Sequence, residues 1–380
     1  MDTITHGIAG ALIGKGLLAE RWGGAATLAA TLGAVFPDSD VVSDFFSHNP
    51  ASILEYHRGI THSFVAMPVF ALGLGALVWW VARWRGIRVS FWALALAALA
   101  GIASHLLLDA LTSYGTRLWE PISWARVSWD WLFEVDPILT ALLLVPQVAA
   151  WVQRDREKAP WRALAMWGLF SVLAALVWGA EWAVGSPFGF RAVPIAAIVL
   201  AAIFFLPIYG GHFFEWTRRE WCVAGLVLAA LYIGLCGYEH HQALARVRQF
   251  ASNQSLPVER FAAIPVPPSP AEWNGLVLTA SGVYGARFDV AGSRAPRFRF
   301  LADSPPNAYI AQALRLPAVK AYLGFARFPV VRYLSRDGQK VVELFDIRFF
   351  NFEQRRGRRP FVYRVEFGPN GRVVGQGWRM

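Results

Sequence analysis

Charge is scarce in this chain. Asp, Glu, Lys and Arg make up 16% of its 380 residues, while 56% are hydrophobic. Soluble domains carry about 25% charged residues, so the chain as a whole is too apolar for an ordinary soluble protein and points to an integral membrane protein. Cysteine is equally sparse: Cys222 and Cys236 lie fourteen residues apart in one apolar segment. A helix rises about 1.5 Å per residue, which puts them well beyond disulfide reach, so both read as packing residues. Several enzyme signatures are also missing. The sequence has no Ser nucleophile elbow, no His-Glu-x-x-His, no Walker loop and no dinucleotide glycine motif. Met1–His6 lacks the basic start of a cleavable signal peptide.

The chain does contain a succession of apolar runs. Ile4–Glu20 and Gly23–Phe36 are short and rich in Gly and Ala, and read as a closely packed helical hairpin. Phe64–Ala82, Val89–Leu111, Pro137–Val152, Ala163–Val184, Ala192–Gly210 and Trp221–Tyr238 follow, each nearly free of charge. Asp136-Pro137 has the form of an N-cap with Pro at the first helical position. The predicted fold is mainly α: a polytopic helical membrane domain of about eight spans over residues 1–240, then a small β-rich C-terminal domain. Arg21, the Arg83–Arg88 loop, the Arg154–Arg162 loop and Arg218/Arg219 fall on one side if the N-terminus is outside. Positive charge marks that side as cytoplasmic. The loops Asp38–Ser63 and Thr112–Val135, a short connection at Arg191 and everything after Tyr238 then lie on the periplasmic side. Trp119, Trp124, Trp129 and Trp131 would form an interfacial belt there.

Composition changes near Ser252. Residues 241–270, ending in Pro265-Val-Pro-Pro-Ser-Pro270, read as a linker. Residues 271–380 read as a β-rich extramembrane domain. Leu276–Val290, Arg297–Leu301, Val330–Leu334, Val341–Phe352 and Phe361–Phe367 are strand-like, a helix is expected near Ala308–Leu323, and Asp337-Gly338 and Asn370-Gly371 are turn signals. The net charge of +10 resides here: from Glu239 onward 21 Lys and Arg face 10 Asp and Glu, leaving the preceding chain at about −1. Basicity beside a bilayer is suited to anionic headgroups and gives no support to nucleic-acid binding.

The chemistry concentrates in His57-Arg58-Gly59-Ile60-Thr61-His62-Ser63, set directly against the apolar run Phe64–Ala82. Polar groups this dense at the mouth of an apolar segment require partners, water or a metal. On the expected topology His6, Asp38, Asp40, His57, His62, His105 and Asp109, from four separate segments, reach the same face. His105 and Asp109 are four apart and share a helix side. Any one of these alone would ordinarily be a polar cap, but seven together point to function. Mixed imidazole and carboxylate donors suit Zn²⁺, Mn²⁺ or Fe, one or two ions. His6, Asp38, His57, His62, His105 and Asp109 are the expected metal ligands. Asp40 is the expected proton acceptor, or alternatively a turn cap, and Arg58 the expected clamp for an anionic group, or else a headgroup contact or salt bridge. Asp130, Glu134, Glu181, His212, His240 and His241 are assigned no chemical role.

Asp2-x-x-Thr5-His6, Pro37-Asp38-x-Asp40, His57-Arg58-Gly59-x-Thr61-His62-Ser63 and Ser104-His105-x-x-x-Asp109-x-x-Thr112-x-Tyr114-Gly115-Thr116 together resemble the membrane-bound metal-dependent hydrolases of the YdjM type, over about Met1–Pro137. The resemblance implies a multi-pass protein of the bacterial inner membrane with a hydrolytic metal site, and names no substrate. Position at the membrane boundary adds the expectation of a lipid-linked or amphiphilic ester, phosphoesters included, with membrane lipids as partners and a protein partner open to the C-terminal domain. The reading from another class is a non-catalytic, metal-stabilised membrane scaffold or transporter. Transport would call for ionisable groups near mid-span, and the spans here are nearly clean of them.

Overall fold

A computed structural model of the chain describes residues 1–46, 54, 56–183, 192–210, 216–267, 270, 272–292, 295–336, 339–349 and 361–378. Helix α1 (Thr3–Ile13) begins where the Asp2 carboxylate accepts from the Thr5 amide, and continues through a π-helical turn at Gly14–Leu18. Helix α2 (Ala19–Val35) is broken at Gly23, whose φ of 74° is left-handed. A 3₁₀ stretch, Phe36–Phe46, and a second one at Ile60–His62 lead to α3 (Met67–Trp84) and α4 (Phe91–Ala110). Then come α5 (Pro137–Val152), capped by Asp136 as expected, α6 (Ala159–Ala183), α7 (Ala192–Tyr209) and α8 (Arg218–Asn253).

Among the described residues four helices are long and apolar enough to cross a membrane: Met67–Trp84, Phe91–Ala110, Ala159–Gly179 and Arg218–Asn253. The expected count of about eight is not reached. Pro137–Val152 and Val193–Tyr209 are apolar but shorter, and the first hairpin is divided by its π-turn and by Gly23. The connection at Arg191, Glu181 as a side chain, and His212 lie outside the described residues.

Missing side chains bring α2 and α4 together. A Cβ on Gly33 would stand 2.2 Å from the Ala98 carbonyl oxygen, and one on Gly101 would stand 2.0 Å from that of Ala30. Ala26, Ala29, Ala30, Ala97 and Ala98 fill the same buried seam. Small residues let backbones approach where larger ones would hold them apart. The end of α2 thereby lies against the last turns of α4.

Residues 241–270, expected as a linker, are largely ordered structure. Helix α8 runs unbroken for 36 residues because Ala243, Val247 and Ala251, four apart, bury against Trp273, Val277 and Phe288 of the sheet domain. Strand β1 (Arg260–Pro265) pairs antiparallel with β2 (Glu272–Thr279), followed by β3 (Gly282–Asp289) and β4 (Arg299–Ala302). The single run Leu276–Val290 is thus a hairpin. Helices α9 (Ala308–Ala313) and α10 (Pro317–Phe325) replace the one expected helix, since Pro317 can open a helix but not continue one. A second meander holds β5 (Pro329–Arg336), β6 (Gln339–Asp346), β7 (Val362–Phe367) and β8 (Val373–Trp378). Gly371, at φ 75°, makes the predicted turn between β7 and β8, while Asp337-Gly338 lies outside the described residues. The two sheets share a core containing Ile264, Leu276, Val283, Val330, Phe345 and Val362.

Candidate metal centre

The centre is built where α1, the turn after α2, the segment before α3 and the end of α4 meet. His105 projects from α4 and donates its Nδ1–H to the Ala34 carbonyl at 2.7 Å. A carbonyl only accepts, so this bond fixes the tautomer and leaves His105 Nε2 as a lone pair. The small-residue seam between α2 and α4 makes the contact possible. His62 sits on the 3₁₀ turn Ile60–His62 with its Nδ1 3.3 Å from Asp40 Oδ2, so its Nε2 is also the inward nitrogen.

Four atoms then face one another. His62 Nε2 and His105 Nε2 are 3.0 Å apart; His62 Nε2 is 3.4 Å from Asp109 Oδ2 and 3.6 Å from Asp38 Oδ1; His105 Nε2 is 3.5 Å from each of those oxygens. A tetrahedral shell with bonds of 2.0–2.1 Å has edges of about 3.3–3.4 Å. His62, His105 and Asp109 are fully buried, and Asp38 is 10% exposed. Asp109 Oδ2 accepts no well-aimed hydrogen bond, although Arg58 Nε lies 2.9 Å away. Two imidazole nitrogens and two carboxylate oxygens converging in a buried site are a donor set for a divalent cation, and the residues fit one.

A surrounding layer holds these four in place. Thr3 donates to Asp38 Oδ2 at 2.6 Å. His6 approaches Asp109 Oδ1 at 3.2 Å and stacks on His105 with ring centroids 3.6 Å apart, and the Met1 amino group touches the same oxygen. Arg58 reaches Thr112 Oγ1 at 2.9 Å through Nη1 and lies over the Tyr114 ring. Arg58 itself has φ 60°, a strained backbone position for a non-glycine residue. Asp40 ties the motif together. Its Oδ1 is 2.9 Å from His57 Nδ1, and its Oδ2 accepts from the Arg58 amide at 2.8 Å and from Thr61 at 3.3 Å. Such outer partners orient metal ligands and set their basicity.

Of the expected ligands, the structure brings Asp38, His62, His105 and Asp109 into one cluster, and these four could hold an ion. His6 stands behind Asp109 and His105, and His57 stands behind Asp40. Asp40 faces His57, Arg58 and Thr61, while Arg58 is turned to Asp109 and Thr112. Without a metal, His62 carries charge. Burial opposes this, but Asp109, Asp38 and Asp40 outweigh it and lift its pKa from 6.5 to about 10. Burial likewise opposes ionisation of Asp38 and Asp40, yet their hydrogen bonds to histidine hold both well below the usual carboxylate range. The imidazolium stands where a cation's charge would be.

Residues 1–183 match the YdjM inner membrane protein family. The YdjM-like region therefore reaches past the motifs through α5 to the end of α6, and the family's inner-membrane description agrees with the chain's apolar helices. No curated protein and no solved structure matches the chain.

Sequence reasoning missed the roof over the YdjM-like site. Tyr114 lies between His57, at 5.4 Å, and Phe325 of α10, at 4.8 Å between ring centroids. Arg348 donates to the Ser113 carbonyl at 2.6 Å, and Arg327 makes a two-pronged pair with Asp130 at 2.6 and 2.8 Å. Arg126 binds the carbonyls of Leu54, His57 and Gly115. Asp130, given no chemical role from sequence, anchors the sheet domain to the loop above the metal centre. The motif residues Thr112, Tyr114, Gly115 and Thr116 and four tryptophans marked that loop in the sequence, but nothing there pointed to its contacts with the sheet domain.

Proposed function

We propose that this chain is a membrane-bound, metal-dependent hydrolase acting at the membrane boundary on a lipid-linked or amphiphilic ester, with a phosphoester as the favoured case. The observation that carries the reading is the pair of Nε2 atoms 3.0 Å apart, with both Nδ1 atoms committed elsewhere and two carboxylate oxygens facing them. His62, His105, Asp38 and Asp109 would hold the ion, with zinc the first choice and Mn or Fe next. A divalent ion there supplies Lewis acidity, polarising an ester oxygen and lowering the pKa of water. Arg58, buried beside Asp109, orients that carboxylate and puts a fixed positive charge next to the site, where an anionic group would be held. Asp40 and His57 form the proton route: Asp40 Oδ1 holds His57 at Nδ1, and His57 remains 19% exposed to pass a proton outward. Eight crossings, with the site and sheet domain on the periplasmic side, complete the proposed topology. The shorter helices α5 and α7 would supply two of the crossings.

A second reading has its own support. Four protein donors fill a zinc tetrahedron, as structural sites do, whereas catalytic sites keep a position open. A metal-stabilised scaffold whose sheet domain takes a protein partner would use such a closed site. The deciding experiment compares metal-free and metal-reconstituted protein on a series of amphiphilic phosphoesters, beside thermal unfolding. Metal-dependent turnover lost in His57→Ala with unfolding unchanged supports the hydrolase. Metal that raises the unfolding temperature without producing turnover on any ester supports the scaffold.

A further inference from the structure

A second polar site lies at the junction of the helical part and the sheet domain. A cavity of about 270 Å³ is lined by Ser113, Phe133 and Glu134 on one side and by Pro265, Asn274, Arg287, Arg348, Phe349 and Phe361 on the other. Ser113 is 2% exposed and Asn274 9%. Ser113 Oγ, Asn274 Oδ1 and Glu134 Oε1 are all buried without a hydrogen-bond partner. Burying a polar atom without a partner is costly, so three in one cavity call for a ligand that can satisfy them together.

The lining decides its class. Arg287 is paired with Glu272, and Arg348 with Asp346 and the carbonyls of Ser113 and Phe325. The guanidinium groups are thus engaged, and the free atoms are oxygens, which repel an anion. The same guanidinium groups repel a metal ion. What fits is a neutral molecule offering several O–H donors and carrying apolar faces for Phe133, Phe349 and Phe361. The volume falls just below the roughly 300–1,000 Å³ of pockets that enclose drug-sized ligands, which limits the occupant to about one ring. We propose that this junction cavity binds a single sugar ring, with Asn274 and Glu134 accepting from its hydroxyls and Ser113 completing the set. The inference goes beyond the metal site and does not rest on it.

The test uses the full chain in a sugar-free detergent, with glucose, galactose and N-acetylglucosamine as separate probes in saturation-transfer NMR and calorimetry. At least one should bind wild type, and Asn274→Leu and Glu134→Gln should each weaken that binding at least tenfold. Asn274→Leu removes a buried unpaired acceptor and should leave thermal unfolding intact; should it fail to fold, the isosteric Glu134→Gln carries the test alone. His62→Ala should bind the sugar as wild type does, so loss of the metal reading would leave this one standing. No binding by any of the three sugars, binding unchanged in Glu134→Gln, or binding of inorganic phosphate or ethanolamine in place of sugar would overturn the proposal.

Discussion

Adding one methyl group at Gly101 should disable the metal centre from a position that touches no ligand. The Cβ of Gly101→Ala would stand 2.0 Å from the Ala30 carbonyl oxygen and 2.8 Å from the Ala34 amide nitrogen. Ordinary contacts require upwards of 3 Å, so α2 must retreat from α4 by about 1 Å, an overpacking cost of about 1–3 kcal/mol. The same displacement stretches the 2.7 Å bond from His105 Nδ1 to the Ala34 carbonyl beyond hydrogen-bond length. His105 then loses the partner that fixes its tautomer, and loss of an outer partner of this kind lowers metal affinity about 10–100-fold. The assay is chelator competition for metal in detergent, beside thermal unfolding. Gly73 lies in α3 with nothing within 4 Å of its would-be Cβ, so Gly73→Ala is the control and should change neither readout adversely. Metal affinity and unfolding in Gly101→Ala equal to wild type would refute the proposed link between helix packing and the site.

Three other outcomes follow from the contacts. Asp109→Asn removes a fully buried proposed ligand and leaves Arg58 without its carboxylate; it should lose metal and about 3–5 kcal/mol of stability, measured by denaturation in detergent. Asp130→Ala leaves the mostly buried Arg327 unpaired and should raise hydrogen exchange over α10 and β5, with the core of α4 unchanged. In metal-free protein the raised pKa of His62 means that its stabilising contribution is present in full below pH 6.5 and is lost as pH rises to about 10. For the same reason metal must displace that proton, so apparent affinity should rise with pH by up to about tenfold per unit over this window; a pH-independent metal affinity between 7 and 9 would contradict it.

The helical part and the clustering of histidine and aspartate are legible in the sequence because both depend on local pattern. Apolar runs place His6, Asp38, His62 and Asp109 at segment ends, and a spacing of four aligns His105 with Asp109. Which of these converge into one cluster is not legible. That choice depends on the tautomers of His62 and His105, which are set by Asp40 and by a main-chain carbonyl, Ala34, that no side-chain motif encodes. The number of crossings is less legible: four helices are long and apolar enough among the described residues, and hydropathy registers an apolar stretch equally well when Gly23 breaks it or when it is short. The linker reading of residues 241–270 failed for a similar reason: polar residues from Glu239 onward mask the spacing of Ala243, Val247 and Ala251, whose partners lie in a sheet formed later in the chain. The contacts of Arg327 and Arg348 with the loop above the site join residues about 200 positions apart, and no local signal records them.

Elemental analysis of protein purified in detergent without chelators, beside His62→Ala and His105→Ala, tests the central claim most directly. The account predicts near-stoichiometric Zn, Mn or Fe in the wild type and its loss in both variants while the helical fold persists. A metal-free wild type, or metal retained in both variants, would contradict it.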